Sequence, residues 1–458
     1  MDFQGRRAVV LGLGLTGFSL ARHLARHGAQ VRVADTRSAP PFAARLAADL
    51  PGTPLATGPI DERTFAGADL IAISPGIAKD QPAIAAAVAR GAELVGDIEL
   101  FARALAASCK VLAITGSNGK TTVTALTGEL CRAAGLETIV AGNIGDAALD
   151  ALASIDAGER RPDVVVLELS SFQLETTSSL QPHAATVLNV TENHLDRYPG
   201  MDAYAAAKAR IFAGEGVQVL NRDDPRSLAM RIPGRIVETF GAGVPVLEEE
   251  WGLVSHGGEA WLARGGQLLL PTSDLALVGR HNALNALAAL ALVATMAPIR
   301  RDVLAALTRF QGMPHRMQRI DEAGGVLFVN DSKGTTIAAT EVALAGLGRP
   351  VVLIAGGDGK GQDFAALKPA VDAHCRAVLL IGRDAPAIER ALAGTPSRVE
   401  HVRTLDAAVP RALALARPGD AVLLSPACAS LDQFGSYVER GDRFVALVRA
   451  AVAETAHA

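Results

Sequence analysis

Residues 115–122, Thr-Gly-Ser-Asn-Gly-Lys-Thr-Thr, set two glycines, a lysine and a pair of threonines at the spacing of a loop that holds phosphate. Gly116 and Gly119, with Ser117 and Asn118 between them, leave backbone N–H groups open to an anion, and Lys120 adds a positive charge. Thr121, followed by Thr122, offers a hydroxyl to Mg2+. The usual phosphate loop has its first glycine six positions before the lysine. Ile114 stands there instead, so this is a shorter variant.

Other residues read less sharply. Glu168 ends the apolar run 164–167, where a buried charge is costly unless it meets a cation or hydrogen-bond donors. By itself it is equally an ordinary strand-end residue; beside Lys120 it reads as a Mg2+ ligand. His194 and Asp196 in "NVTENHLDRYP" (189–199) offer ligand chemistry, although a lone histidine is more often structural. Lys208, in "AYAAAKARIF", has the setting of a solvated lysine on a surface helix. A second glycine loop, "GLGLTG" (12–17), meets the full G-x-G-x-x-G spacing, and Asp35 ends the next strand where a ribose-binding acid would sit. The motif does not separate NAD(P) or FAD from another diphosphate nucleotide.

These residues need elements to position them. Ten short runs rich in Val, Ile and Leu, near 8–14, 31–35, 70–74, 110–116, 164–170, 185–191, 326–331, 351–357, 377–382 and 421–427, alternate with helical patterns. Most end in Gly, Ser, Asp or Asn. Such runs read as buried parallel strands, and the fold class is α/β, doubly wound. Three groups are expected: 1–97, 98–313 and 314–458, with the strand-rich stretch 234–278 as an antiparallel appendage to the second. At 458 residues the chain exceeds what one core usually serves.

Composition removes several classes. A net charge of −4 without a basic block argues against nucleic acid as a partner. Cys109, Cys131, Cys375 and Cys428 are scattered without metal or disulfide spacing, as in a reducing compartment. Arg6 and Arg7 precede an apolar run, but Gly12, Gly14 and Gly17 interrupt it and no cleavage site follows. The most apolar helix candidate, 283–297, is too short to span a membrane. A cytoplasmic monomer acting on small molecules, away from membranes, is expected.

Taken together, the blocks resemble the Mur ligases, the ATP-dependent amide-forming enzymes of peptidoglycan precursor synthesis. The resemblance rests on "GLGLTG", "SPGI" (74–77), "GDIELF" (96–101), "TGSNGKTT", "GNIG" (142–145) and "LELSSFQLETTSSL" (167–180). It continues through "NVTENHLDRYP", "GRHNALNALAAL" (279–290), "MPHR" (313–316), "NDSKGTT" (330–336), "GGDGKGQDF" (356–364) and "SPACASLDQF" (425–434). These blocks run in order along nearly the whole chain and are similar to the D-glutamate-adding branch.

The resemblance implies three domains: an N-terminal Rossmann-like UDP-binding domain, a central P-loop-type ATPase and a C-terminal Rossmann-like domain. It implies UDP-N-acetylmuramoyl-L-alanine and D-glutamate as substrates, with ATP and two Mg2+ ions. Leu15, Thr16, Thr36 and Arg37 would lie near the uracil and Asn143 at the muramoyl group. Gly116–Thr122 would bind ATP, with Lys120 on the β/γ-phosphates and Thr121 and Glu168 on the first Mg2+. His194 and a carbamylated Lys208 would hold the second, which replaces the solvated-lysine reading. Asn282, Asn285, Arg316 and Asp331, with His315 nearby, would contact adenosine. Lys360, Thr335, Ser430, Leu431 and Tyr437 would hold D-glutamate, with Lys333 close by.

Three positions depart from the family pattern: Asn193 where Asp is common, Gln318 for Glu, and Tyr437 for Phe. The competing readings are an NAD-dependent oxidoreductase, a folylpolyglutamate synthase relative and a non-catalytic nucleotide-binding scaffold. The first leaves "GSNGKTT" unexplained, the UDP-type first domain argues against the second, and the joint presence of Lys120, Glu168, His194 and Lys208 argues against the third.

Overall fold

The computed structural model describes residues 2–192, 197–277 and 279–456, of which 454–456 are described by backbone only. His194, with Asn193 and Asp196, lies outside the described residues.

All ten apolar runs are strands with parallel partners, distributed over three sheets. The reason is visible in how each strand divides its side chains. In Arg7–Leu11, Ala8 and Val10 enter one core while Val9 and Leu11 enter another. In Val326–Asn330, Leu327 and Val329 face one core and Val326 and Phe328 the other. With both faces covered, no position along the run is left for a polar residue, hence continuous Val/Ile/Leu rather than alternation.

The first sheet orders its strands Leu55–Thr57, Gln30–Asp35, Arg7–Leu11, Leu70–Ile73 and Glu93–Val95, all parallel. The second places Lys110–Thr115 between Ala184–Val187 and Val164–Glu168, with Thr138–Gly142 at one edge. Val217–Asn221, Val237–Phe240 and Glu250–His256 extend it in parallel on the other side. The expected antiparallel appendage over 234–278 is thus only partly so. Its first two strands prolong the parallel sheet, and the direction reverses only at Gly257-Gly258, where Glu250–His256 pairs antiparallel with Glu259–Arg264. The third sheet runs Gln318–Ala323, Val326–Asn330, Ala421–Leu424, Val351–Gly356, Cys375–Ile381 and Arg398–Arg403, antiparallel only at its first pair.

The described chain forms two compact units, Met1–Leu270 with Asn285–Leu307, and Pro271–Leu284 with Thr308–Ala458. The first unit carries two sheets that share one apolar core, and "GDIELF" and "SSFQLETTSS" add polar contacts between them. Asp97 accepts from Gln173 Nε2 at 3.0 Å. Glu99, 2% exposed, accepts from Ser178 N at 2.6 Å, Ser179 N at 2.9 Å, Ser179 Oγ at 2.6 Å and Arg103 Nε at 2.7 Å. Burial pushes the Glu99 carboxyl up, but these donors outweigh it and hold it at about 2.

A carboxyl held below its ordinary value stabilises the fold above about pH 4.5, and that contribution disappears as pH falls toward 2. Glu99→Gln is expected to lose about 2 kcal/mol at pH 7, as charged hydrogen bonds are weakened. Its stability should also vary less than the parent's between pH 4.5 and 2, as measured by urea denaturation across that window.

Candidate active site

Lys110–Thr115 is buried from Val111 onward and delivers the loop Gly116–Gly119 to the N-terminus of the helix Lys120–Ala133. Gly119 has φ +82°, a left-handed turn, and a Cβ there would lie 2.8 Å from Asn285 Oδ1. Only glycine satisfies both conditions. Asn189 fixes the loop from the neighbouring strand end: its Oδ1 accepts from Asn118 N at 2.8 Å and its Nδ2 donates to Asn118 O at 3.1 Å. Ser117 Oγ donates to Thr191 O at 3.1 Å and accepts from Thr191 N at 3.0 Å. Thr121 and Thr122 begin the helix, where unpaired N–H groups and the helix dipole favour an anion.

Two lysines meet at this loop. Lys120 Nζ donates to Gly116 O and Ser117 O, each at 2.9 Å, and Lys208 Nζ donates to the same Gly116 O at 2.9 Å. Lys208 comes from the helix Met201–Ala209, is 1% exposed and sits 4.4 Å from the centre of the Tyr204 ring. The solvated surface position that its neighbours in sequence suggest is therefore wrong: Lys208 shares the buried face of the helix with Tyr204 and Ala207. Burial, then the nearby Lys120 charge, pushes Lys208 down to about 6.

Glu168 is 1% exposed at the end of Val164–Glu168. Its Oε1 accepts from Asn143 Nδ2 at 2.8 Å, while Oε2 is buried without a hydrogen-bond partner. An orphaned carboxylate oxygen beside a glycine loop that carries Lys120 suits a metal–polyphosphate, which supplies a cation to the first and an anion to the second.

The first glycine loop has its own geometry. Gly17 packs so tightly that a Cβ would fall 1.6 Å from Gly12 O. Asp35 is 2% exposed and fully engaged, accepting from Leu13 N at 2.6 Å, Arg37 N at 2.8 Å and the Arg37 guanidinium at 2.9 and 2.6 Å. Arg37 hydrogen bonding, set against burial, holds its carboxyl well below the usual range. An acid so occupied is poorly placed to take a ribose, which weakens the NAD reading. Leu15, 49% exposed, stands at the helix start with Thr16, while Thr36 and Arg37 follow the adjacent strand.

In the second unit, three neighbouring strands deliver the remaining candidates. Lys333 and Thr335 follow Val326–Asn330, Lys360 follows Val351–Gly356, and Ser430 and Leu431 follow Ala421–Leu424. Tyr437 opens the last helix, with Lys333 Nζ 3.9 Å from its ring centre. Asp331, 7% exposed, accepts from Ser425 Oγ at 2.7 Å and Met317 N at 3.2 Å, and burial pushes it up to about 7. His315 and Met317, either side of Arg316, are both left-handed, with φ +64° and +45°. Gln318 steadies that turn, its Oε1 accepting from His315 N at 3.0 Å. Asn282 is buried near the start of the helix Arg280–Ala294, which also carries Asn285.

The loop-fixing roles of Asn189 and Thr191 escaped the sequence reading, although both lie in the block singled out for His194. Arg440 escaped altogether. It is 1% exposed and donates to Ser332 O at 2.8 Å, Ser332 Oγ at 3.0 Å and Cys428 O at 3.1 Å, in a stretch with no local signal.

Three family models cover the chain in order. "Mur ligase MurD-like, N-terminal domain" matches residues 6–96, "Mur ligase middle domain" 114–293, and "Mur ligase, glutamate ligase domain" 315–428. The chain belongs to the Mur ligase family. It is 55% identical to the UDP-N-acetylmuramoylalanine–D-glutamate ligase of Thiobacillus denitrificans, over 100% of this chain and 98% of that one. It is 52% identical to the enzyme of the same name from Chromobacterium violaceum, over the whole of both chains. Among solved structures, the UDP-N-acetylmuramate-alanine ligase of Thermotoga maritima matches with TM-score 0.59 at 19% identity, over 97% of this chain and 99% of that one. That likeness speaks to fold. Against this background the Mur ligase's α/β architecture, with mostly parallel sheets, is as expected.

Asn189→Ala removes both side-chain bonds to Asn118 while leaving the strand intact. The two lost bonds are worth about 2 kcal/mol together, so the ATP KM is expected to rise by up to about thirtyfold. Thermal denaturation should show a loss of no more than about the same 2 kcal/mol, leaving the enzyme folded at assay temperature.

Proposed function

We propose that this Mur ligase joins D-glutamate to UDP-N-acetylmuramoyl-L-alanine, using ATP and releasing ADP and phosphate, in peptidoglycan precursor synthesis. The observation that carries this reading is end-to-end similarity, at 55% and 52% identity, to relatives bearing the corresponding name. The enzyme works as a monomer in the cytoplasm. No helix among the described residues is long and apolar enough to cross a membrane.

The chemistry follows from the electrophile. A carboxylate resists attack by an amine, because the leaving group would be oxide. Attack of the carboxylate oxygen on the γ-phosphorus of ATP expels ADP and makes an acyl phosphate. The D-glutamate amine then attacks the carbonyl carbon, phosphate leaves from the tetrahedral intermediate, and the nitrogen loses a proton as the amide forms. The backbone N–H groups of Gly116 and Gly119 and the Lys120 ammonium bind and orient the polyphosphate, whereas Ser117 N and Asn118 N, open by sequence, are taken by Asn189. Thr121 and Glu168 would hold one Mg2+ and His194 and Lys208 a second, and the ions would supply charge neutralisation at the transferred group. Leu15, Thr16, Thr36 and Arg37 receive the uridine end, and Asn143 orients the muramoyl end. D-glutamate is taken by Lys333, Thr335, Lys360, Ser430, Leu431 and Tyr437. The adenosine contacts expected of Asn282, Asn285, Arg316 and Asp331 belong to the same proposal.

As a carbamate, Lys208 would hold the second metal. Its burial beside Lys120 supports this, because a buried amine next to another cation favours the uncharged form. That form has the lone pair needed to add to CO2, losing a proton and becoming an anionic oxygen ligand suited to Mg2+.

Phosphate release from ATP, Mg2+ and UDP-N-acetylmuramoyl-L-alanine is expected with D-glutamate and not with L-glutamate or without amino acid. Turnover with a different amino acid would reassign the family branch. Silence in every mixture, with folded protein, would overturn the ligase reading. Lys208→Ala should lose at least about a hundredfold in kcat, as loss of a metal ligand's support implies. Short carboxylic acids should restore part of it; failure of every such acid would count against the carbamate.

A further inference from the structure

We propose that Arg383, which neither motif nor family resemblance singles out, is a positioning residue for the amino-acid substrate: it ties together the two loops that carry Lys360 and Ser430. The inference rests on the reading that these residues receive D-glutamate.

Lys360 stands in a left-handed conformation, φ +50°, which a non-glycine side chain adopts only when its surroundings require it. Here two carboxylates require it. Asp358 Oδ1 accepts from Lys360 N at 3.0 Å, and Asp384 Oδ2 accepts from Gly359 N at 2.7 Å. The loop is stitched to its neighbour by a pair of 2.9 Å backbone bonds between Asp358 and Ala429, directly before Ser430.

Arg383 spans both loops. Its guanidinium makes a short contact with Asp358 Oδ1, the same oxygen that holds Lys360 N, and lies 3.7 Å from Asp384 Oδ2. Its backbone N–H donates to Asp432 Oδ2 at 2.8 Å, two residues beyond Ser430. One residue thus grips the Lys360 turn from its side chain and the Ser430 loop from its backbone.

Charge makes the role more than mechanical. Asp358 and Asp384 both bind the turn that carries Lys360, and the ligand brings two more carboxylates. The guanidinium offsets the charge of those two acids, so that Lys360 is left for a substrate carboxylate. Arg383 itself is 61% exposed, and an isolated ion pair at that exposure adds little to stability. The effect of losing it falls on how the turn is held, not on whether the domain folds.

The test compares Arg383→Met, Arg383→Lys and Lys360→Met in the full-length enzyme, varying each substrate in turn and recording thermal denaturation. Arg383→Met should raise the D-glutamate KM about tenfold, the size associated with one lost charge-assisted bond. Its kcat should stay within about twofold, and the KM values for ATP and the UDP-substrate, like the melting temperature, should stay near the parent's. Arg383→Lys should recover part of the D-glutamate KM, because the charge is kept. An unchanged D-glutamate KM in Arg383→Met, with a raised one in Lys360→Met, would overturn the role of Arg383 alone. An unchanged value in Lys360→Met would remove the reading of Lys360 and this inference with it. A common shift in all three KM values with a lowered melting temperature would mean a purely structural residue.

Discussion

One backbone carbonyl, that of Gly116, accepts hydrogen bonds from two lysines, and much of the first unit is arranged around that fact. Like charges brought together away from water repel, so Lys208 is driven toward its uncharged form and the loop is left electrically incomplete. Across from it, Glu168 presents a buried oxygen with no hydrogen-bond partner. Neither imbalance makes sense for a structural turn. A metal-bound polyphosphate suits both, because it brings an anion to a loop that carries Lys120 and a cation to the Glu168 oxygen. The shortened glycine loop is held by Lys208 and Asn189 from elsewhere in the chain.

The sheets supply the rigidity this needs. The loops after Arg7–Leu11, Val326–Asn330, Val351–Gly356 and Ala421–Leu424 leave strands buried on both faces, so their starting points cannot drift without disturbing two cores. The same logic recurs in the second unit, where three adjacent strands release the loops of Lys333, Lys360 and Ser430 side by side. Where loops must adopt costly conformations, carboxylates and amides hold them: Asp358 at Lys360, and Gln318 beside His315.

Several blocks that look functional by sequence turn out to be architectural. Asp97 and Glu99 of "GDIELF" bind the Gln173 amide and the Ser178-Ser179 turn, joining two sheets into one unit. Asp35, placed as a ribose acid would be, is spent on Leu13 and Arg37 and shapes the glycine loop instead. A carboxylate in a motif and a carboxylate available to a ligand are different things, and only the partners distinguish them.

The strand pattern and the phosphate loop were legible because their causes are local. Burial on both faces demands continuous Val/Ile/Leu, and a left-handed turn demands glycine at 119. The stretch 234–278 was harder, since mixed polarity at a sheet edge does not say whether the next strand runs parallel or antiparallel. From its neighbours in sequence, Lys208 looks like a solvated lysine on an alanine helix; from its neighbours in space it is a buried amine touching a carbonyl 92 residues away. Arg383 and Arg440 carry no signal at all, because what defines them is which loops they reach. Residue types and spacing determined by themselves the fold class and the glycine loops. The protonation of Asp35 and Lys208, and the partners of these two and of Glu168, were decided only by tertiary packing, because burial and electrostatic neighbours are properties of space rather than of order along the chain.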